Sequence, residues 1–227
     1  MSGQKFFNSK SALITLIAAC IVVIISVGIR QTFGLFYFDF STDLNISMTD
    51  FGFAMGIQLL LWGFFGPVFG IITDKYGGAI AIFIGFLFYL LGVIMLYSGY
   101  NTGFYFTLSM GILIGVGLGS TAISIPVSVV AKHFPLSKRT IATSIVTAVG
   151  SFGYFISPMF TQYSLVEYGW ESTLLFFLIF LGVGLIVSLF VSTPKIDSNN
   201  TEKNNQTPMQ AIKEAFSNKS FNFLTMG

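Results

Sequence analysis

Apolar residues fill long runs of this chain, and short polar stretches break those runs at intervals. Six runs reach the roughly 20 residues that an α-helix needs to cross the ~30 Å hydrocarbon layer of a bilayer. They are Ser11–Phe38, Phe51–Thr73, Ala79–Tyr97, Phe104–Val130, Thr140–Tyr163 and Ser172–Ser192. The pattern predicts six transmembrane helices. The first run follows Lys5 and Lys10, as the core of a secretory signal would. It exceeds the roughly 7–15 residues of such a core, and no small-residue cleavage site follows it. It reads as a retained span.

After Pro194 the pattern changes. "KIDSNNTEKNNQ" is polar, rich in Asn and without periodicity, the character of a linker. "TPMQAIKEAF" then offers Thr207 as N-cap, Pro208 at the first helical position and Gln210 to complete a capping box. Met209, Ile212 and Phe216 share one face, which predicts a short amphipathic helix at the inner membrane surface. "SFNFLTMG" turns apolar again, like the opening of a seventh span. The expected organisation is an N-terminal segment at 1–10, a six-helix domain at 11–193, a linker at 194–220 and the start of a seventh helix at 221–227.

Composition agrees with a membrane protein. Of 227 residues, 54% are hydrophobic and 9% charged, where soluble domains carry about 25% charged residues. The net charge of +2, with no basic patch, leaves no nucleic-acid partner to expect. Cys20 is the one cysteine and His133, in "KHFPLSKR", the one histidine, so a metal site has no ligands to draw on. The charges also set a topology. With the N-terminus cytoplasmic, every Lys and Arg except Arg30 falls on inner segments, and the outer loops hold none. Arg30 stands about 28 Å, at 1.5 Å per residue, from the start of its span, which puts it in the outer half.

Two segments repeat. "PVFGIITDKYGG" from Pro67 and "PMFTQYSLVEYGW" from Pro158 both read Pro-x-Phe, then an acidic residue and Tyr-Gly. One closes the second span and the other the fifth, which have opposite directions. Spans 1–3 and 4–6 therefore read as inverted copies, an arrangement typical of secondary transporters.

Polar residues inside spans are costly in lipid and mark cavities or helix contacts. Arg30, Gln31, Gln58, Trp62, Ser124 and Thr147 form the candidate cavity set. Ser124 lies in a stripe with Ser120 and Ser128, and Thr147 in one with Thr143 and Ser151, each at four-residue spacing. Such hydroxyls serve packing as readily as a cavity. Gly111, Gly115 and Gly119 predict close helix packing, and Gly150, Gly153 and Pro158 a bend.

"GIITDKYGG", residues 70–78, resembles the loop after the second helix of the major facilitator superfamily. Gly70, Asp74, Lys75 and Gly77 match its pattern. Gly78 and Ala79 depart from it where two basic residues are usual, and Ser109-Met110-Gly111 stands where a basic residue often begins the fourth helix. "RQTFGLFYF", "QLLLWGFFGPVFG" and "GSFGYFISP" look most like the monocarboxylate and oxalate–formate antiporter branch. The resemblance implies an all-α integral membrane fold, with this chain as the N-terminal six-helix half. It also implies a switch role for the 70–77 loop. Asp74, at a helix C-terminus where a carboxylate is disfavoured, is expected to take a cationic partner from a neighbouring helix.

The implied function is secondary active or facilitative transport of a small anionic, carboxylate-type solute by alternating access, in a plasma membrane (a bacterial inner membrane in the expected case). No nucleotide-binding loop appears, and no Asp or Glu lies deep in a span, so neither direct ATP coupling nor a proton relay is expected in this half. The expected partners are the bilayer, the solute and a C-terminal six-helix half. No cofactor is expected, and no constellation for an enzyme is present. The alternative is a six-helix membrane scaffold, or a half-size subunit that must dimerise. A lone half is expected not to transport.

Overall fold

The computed structural model describes residues 10–99 and 102–192, and these are helical with short connections. The 194–220 linker with its amphipathic helix, the seventh-span start at 221–227 and residues 1–9 lie outside the described residues. Five helices are long and apolar enough to cross a membrane: α1 (Lys10–Asp43), α2 (Met48–Tyr76), α3 (Gly78–Tyr97), α4 (Gly103–His133) and α5 (Leu136–Ser188). At 53 residues, a straight α5 would measure about 80 Å, far beyond any bilayer core. It is not straight. Gly169 (φ 78°, ψ 172°) reverses the chain. The arms 136–168 and 170–188 then lie side by side, with Phe160 packed on Phe180 at 5.7 Å and the Ser164 and Thr173 hydroxyls 2.9 Å apart.

Gly77, between α2 and α3, has nearly the same backbone (φ 95°, ψ 158°). Positive φ with ψ near 180° is open essentially to glycine alone. Both glycines follow the tyrosine of the repeated segment, Tyr76 and Tyr168, so the two copies in the sequence make the same one-residue reversal.

These turns shorten the connections expected from hydropathy. The stretch 164–171 is not a loop; helix continues up to Gly169 and resumes at once. The first span does not stop at Phe38 either. A 3-10 turn at Phe33–Phe36 leads into helix as far as Asp43, where the Asp43 carboxylate accepts a 2.8 Å bond from the Trp170 indole. Basic and acidic ends are thereby defined. Asp43, Asp50, Glu167 and Glu171 gather at one, and Lys10, Lys75, Lys132 and Arg139 at the other.

The α4 helix has two irregularities. Ala122 is extended (ψ −161°), which breaks α4 before Ser124. Pro126 explains this, because a proline ring clashes with the carbonyl four residues earlier, here that of Ala122. Nearer its start, Thr107–Leu113 is wound as a π-helix. The Gln58 amide of α2 donates to the Met110 carbonyl in that segment at 2.9 Å. Gln58 is fully buried, and its Oε1 has no partner.

Helices in lipid gain little from hydrophobic exclusion and associate through close packing. Gly111, Gly115 and Gly119 lie against α2; a Cβ there would come within 3.1 Å of the Ala54 carbonyl, 2.9 Å of the Gln58 carbonyl and 2.7 Å of Phe65 Cβ. Gly117 meets Gly85 of α3 in the same manner. Gly150 and Gly153 in the first arm of α5 face Val23 and Ile24 of α1, and Pro158 follows within the same arm. At the acidic end an aromatic cluster joins the helices. Phe40 of α1 contacts Phe36, Phe106 of α4 and Trp170 of α5 at 5.4–5.6 Å, and Phe106 contacts Phe51 of α2 at 5.8 Å.

Gly77→Ala and Gly169→Ala are each expected to cost about 1–3 kcal/mol through backbone strain. Gly182→Ala, where open space surrounds the missing Cβ, is expected to be neutral or to stabilise by up to about 1 kcal/mol. Unfolding midpoints in mixed SDS micelles would check both. Gln58→Met keeps the volume but removes the side-chain bond to the Met110 carbonyl. Removing the unpaired Oε1 offsets part of that cost, so a net loss of about 1 kcal/mol is expected in the same assay.

Candidate functional site

Arg30 lies on α1 and Trp62 on the antiparallel α2, each about 20 Å, at 1.5 Å per residue, from the acidic end of its helix. Because α1 extends to Asp43, Arg30 is nearer the middle of its span than the sequence alone implied. Its guanidinium carbon sits over the Trp62 ring, 5.6 Å from the centroid. Its Nε is buried without a hydrogen-bond partner, and no acidic side chain pairs with it among the described residues. The guanidinium is held by an aromatic face and no carboxylate answers it among the described residues.

Trp62 also lines an open cleft of about 530 Å³. Leu59, Gly63, Gly66 and Pro67 of α2 line it as well, and Ser124, just past the break in α4, is the lining residue from that helix. The space exists partly because Gly63 and Gly66 project nothing into it. Trp62 thus joins Arg30 to the cleft, and Ser124 brings a hydroxyl exposed by the break that Pro126 imposes.

The other polar positions lie differently. Gln58 is turned into the α2–α4 contact. Gln31 is exposed on α1, and Thr147 is exposed on α5 with its hydroxyl bonded to the Thr143 carbonyl at 3.1 Å. A buried group escaped the sequence reading. The Ser26 and Thr121 hydroxyls meet at 2.7 Å, and Tyr89 donates to the Ser26 carbonyl at 3.3 Å. These three tie α1, α4 and α3 together. Only their being polar in apolar runs could have marked them.

At the basic end, Asp74 accepts from Lys132 of α4 at 2.6 Å. Asp74 is 72% exposed, so the pair contributes at most about 1 kcal/mol and breaks easily. Lys75 lies over the Tyr76 ring at 5.1 Å. Gly77 makes the turn, and Gly70 faces open space.

That open space runs the length of α2. Gly52, Gly56, Gly63, Gly66 and Gly70 have nothing within 4 Å of where a Cβ would be, and with Leu59 they repeat at spacings of four and three. Of the five long helices, α2 is the least buried.

Known proteins share this chain's pattern. The family model "Major Facilitator Superfamily" matches residues 19–227. The probable nitrate transporter NarT of Staphylococcus carnosus (strain TM300) is 28% identical over 157 residues, which is 68% of this chain and 39% of that protein. NarT of Staphylococcus epidermidis is 26% identical, covering 73% of this chain and 42% of the relative. Human monocarboxylate transporter 6 is 23% identical, covering 77% and 33% respectively. The matches span less than half the length of each relative. A family match across nearly all the chain, over a bundle of long apolar helices, makes this multi-pass membrane protein a member of the Major Facilitator Superfamily.

Proposed function

We propose that this bundle lines half of an alternating-access pathway for a small oxyanion, with Arg30 as its anion contact. In this reading the six-helix count follows from taking the two arms of α5 as separate crossings, and the matching reversals at Gly77 and Gly169 support two inverted three-helix units. The basic end faces the cytoplasm by the positive-inside rule. The membrane in this reading is a plasma membrane, a bacterial inner one in the expected case.

The observation that carries the reading is the unpaired guanidinium of Arg30 held on the ring of Trp62, a residue that lines an open cleft. Its forked N–H donors match the oxygens of a planar anion, which would supply the negative partner that the bundle does not. Nitrate and monocarboxylates, named for the relatives, both offer delocalised charge on a flat group. The chain supplies three parts to binding. Arg30 provides charge and paired donors, Trp62 a face behind the guanidinium, and Ser124 a hydroxyl in the cleft. The carboxylate class in particular is favoured by the likeness to the monocarboxylate branch.

A second bundle is needed to close the cleft, and the heptad-spaced glycines of α2 are where a helix from it would pack closely. The Asp74–Lys132 pair, cheap to break, suits a contact made in one state and released in another.

Uptake of labelled nitrate and labelled acetate into proteoliposomes tests this. The chain alone is expected to stay at background, and the chain joined to a second six-helix bundle to transport. In that assembly Arg30→Gln should raise the half-saturating concentration about tenfold or more, the loss of a charged hydrogen bond. Asp74→Asn should slow the maximal rate and leave the half-saturating concentration unchanged. Robust uptake by the lone chain, or an unaltered Arg30→Gln variant, would overturn the proposal.

A further inference from the structure

Trp62 packs against the apolar core, yet it also touches the Arg30 guanidinium and lines the cleft. It is only partly buried, although a packing tryptophan in this bundle, Trp170, is 8% exposed and hydrogen-bonded to Asp43. Among the described residues its indole N–H has no acceptor. Its ring carries Arg30, and its edge lines the cleft with Gly63, Gly66 and Ser124.

We infer that Trp62 is a positioning residue for the anion: its π face fixes the guanidinium so that the N–H fork stays available to a solute entering the cleft. This rests on the reading of Arg30 as an anion contact. The physical case starts from the alternatives open to an arginine inside a span. Left alone, it would turn toward backbone carbonyls or snorkel to an interface, and either would spend its donors. A carboxylate partner would hold it but would neutralise it and compete with an incoming anion. An aromatic face does neither. It attracts the cation through the ring quadrupole and accepts no conventional hydrogen bond from it. The charge remains uncompensated and the donors remain free. An aliphatic side chain at position 62 would fill similar space without holding the charge.

The test uses the purified chain in lipid nanodiscs. Its two tryptophans are Trp62 and Trp170, so Trp170→Phe leaves Trp62 as the only indole reporter. Nitrate, a quencher, should quench Trp62 emission with a saturable component that acetate reverses. Adding Arg30→Gln should leave only the linear, collisional component. Acetate binding, followed by line broadening of labelled acetate in NMR spectra, is then measured for Trp62→Phe and Trp62→Leu. Cation–π energies lead to an affinity about tenfold weaker with leucine and within about threefold of wild type with phenylalanine. Trp62→Met replaces the leucine variant if that one does not insert.

The outcomes separate the two claims. Linear quenching with Arg30 intact would remove the anion site, and this inference with it. Saturable quenching together with wild-type affinity in Trp62→Leu would keep Arg30 as the anion contact and overturn the role of Trp62. Equal weakening by leucine and phenylalanine would overturn it as well, since the aromatic face would then not be the agent.

Discussion

The bundle depends on α4 being thin. Its glycines lie on two sides, with Gly111, Gly115 and Gly119 toward α2 and Gly117 toward α3, and the close approach at those points leaves little room for a methyl group. In lipid this closeness replaces the hydrophobic drive that would assemble the same helices in water. The central place of α4 also explains why its irregularities matter. A π-wound turn or a break at Ala122 would be costly against lipid, where a freed carbonyl finds no donor. Buried among neighbours, the π segment receives the Gln58 amide, and the break lies beside the Ser26–Thr121 hydroxyl pair.

What hydropathy could show and what it could not divide along physical lines. The apolar runs were legible because crossing a bilayer demands length and composition, whatever the neighbours are. The ends of the helices were not. Asp39 and Asp43 look like loop residues, yet helix persists through them because the Trp170 indole and the aromatic cluster reach them from elsewhere in the chain. Glu167 and Tyr168 looked like part of a loop for a similar reason, while the reversal needed only Gly169. The repeated Tyr-Gly was visible in the sequence as a pattern, and its backbone meaning emerges only from the dihedral angles shared by Gly77 and Gly169.

The polar positions follow the same rule. A lone glutamine in an apolar run declares that it needs a partner, but not which one. Gln58 finds the Met110 carbonyl of α4, in a stretch wound as a π-helix that no hydropathy pattern reveals. Arg30 and Trp62 lie 32 positions apart, and their contact depends on two antiparallel helices being in register. The break at Ala122 was legible in principle, since Pro126 sits four residues downstream. Its effect, an exposed Ser124 at the mouth of a cleft, was not.

The one-residue reversals at Gly77 and Gly169 also have a mechanical meaning. A hairpin closed by a single residue has no slack, so its two helices cannot slide along each other without breaking the turn. The pair α2 and α3 is one rigid lever in this sense, and the two arms of α5 are another. Displacement within either pair is confined to small rotations about the turn, which rules out axial shear there. Any large change of shape must concentrate its strain outside these two pairs, as at the connection 44–47 between α1 and α2 and at the weak point in α4.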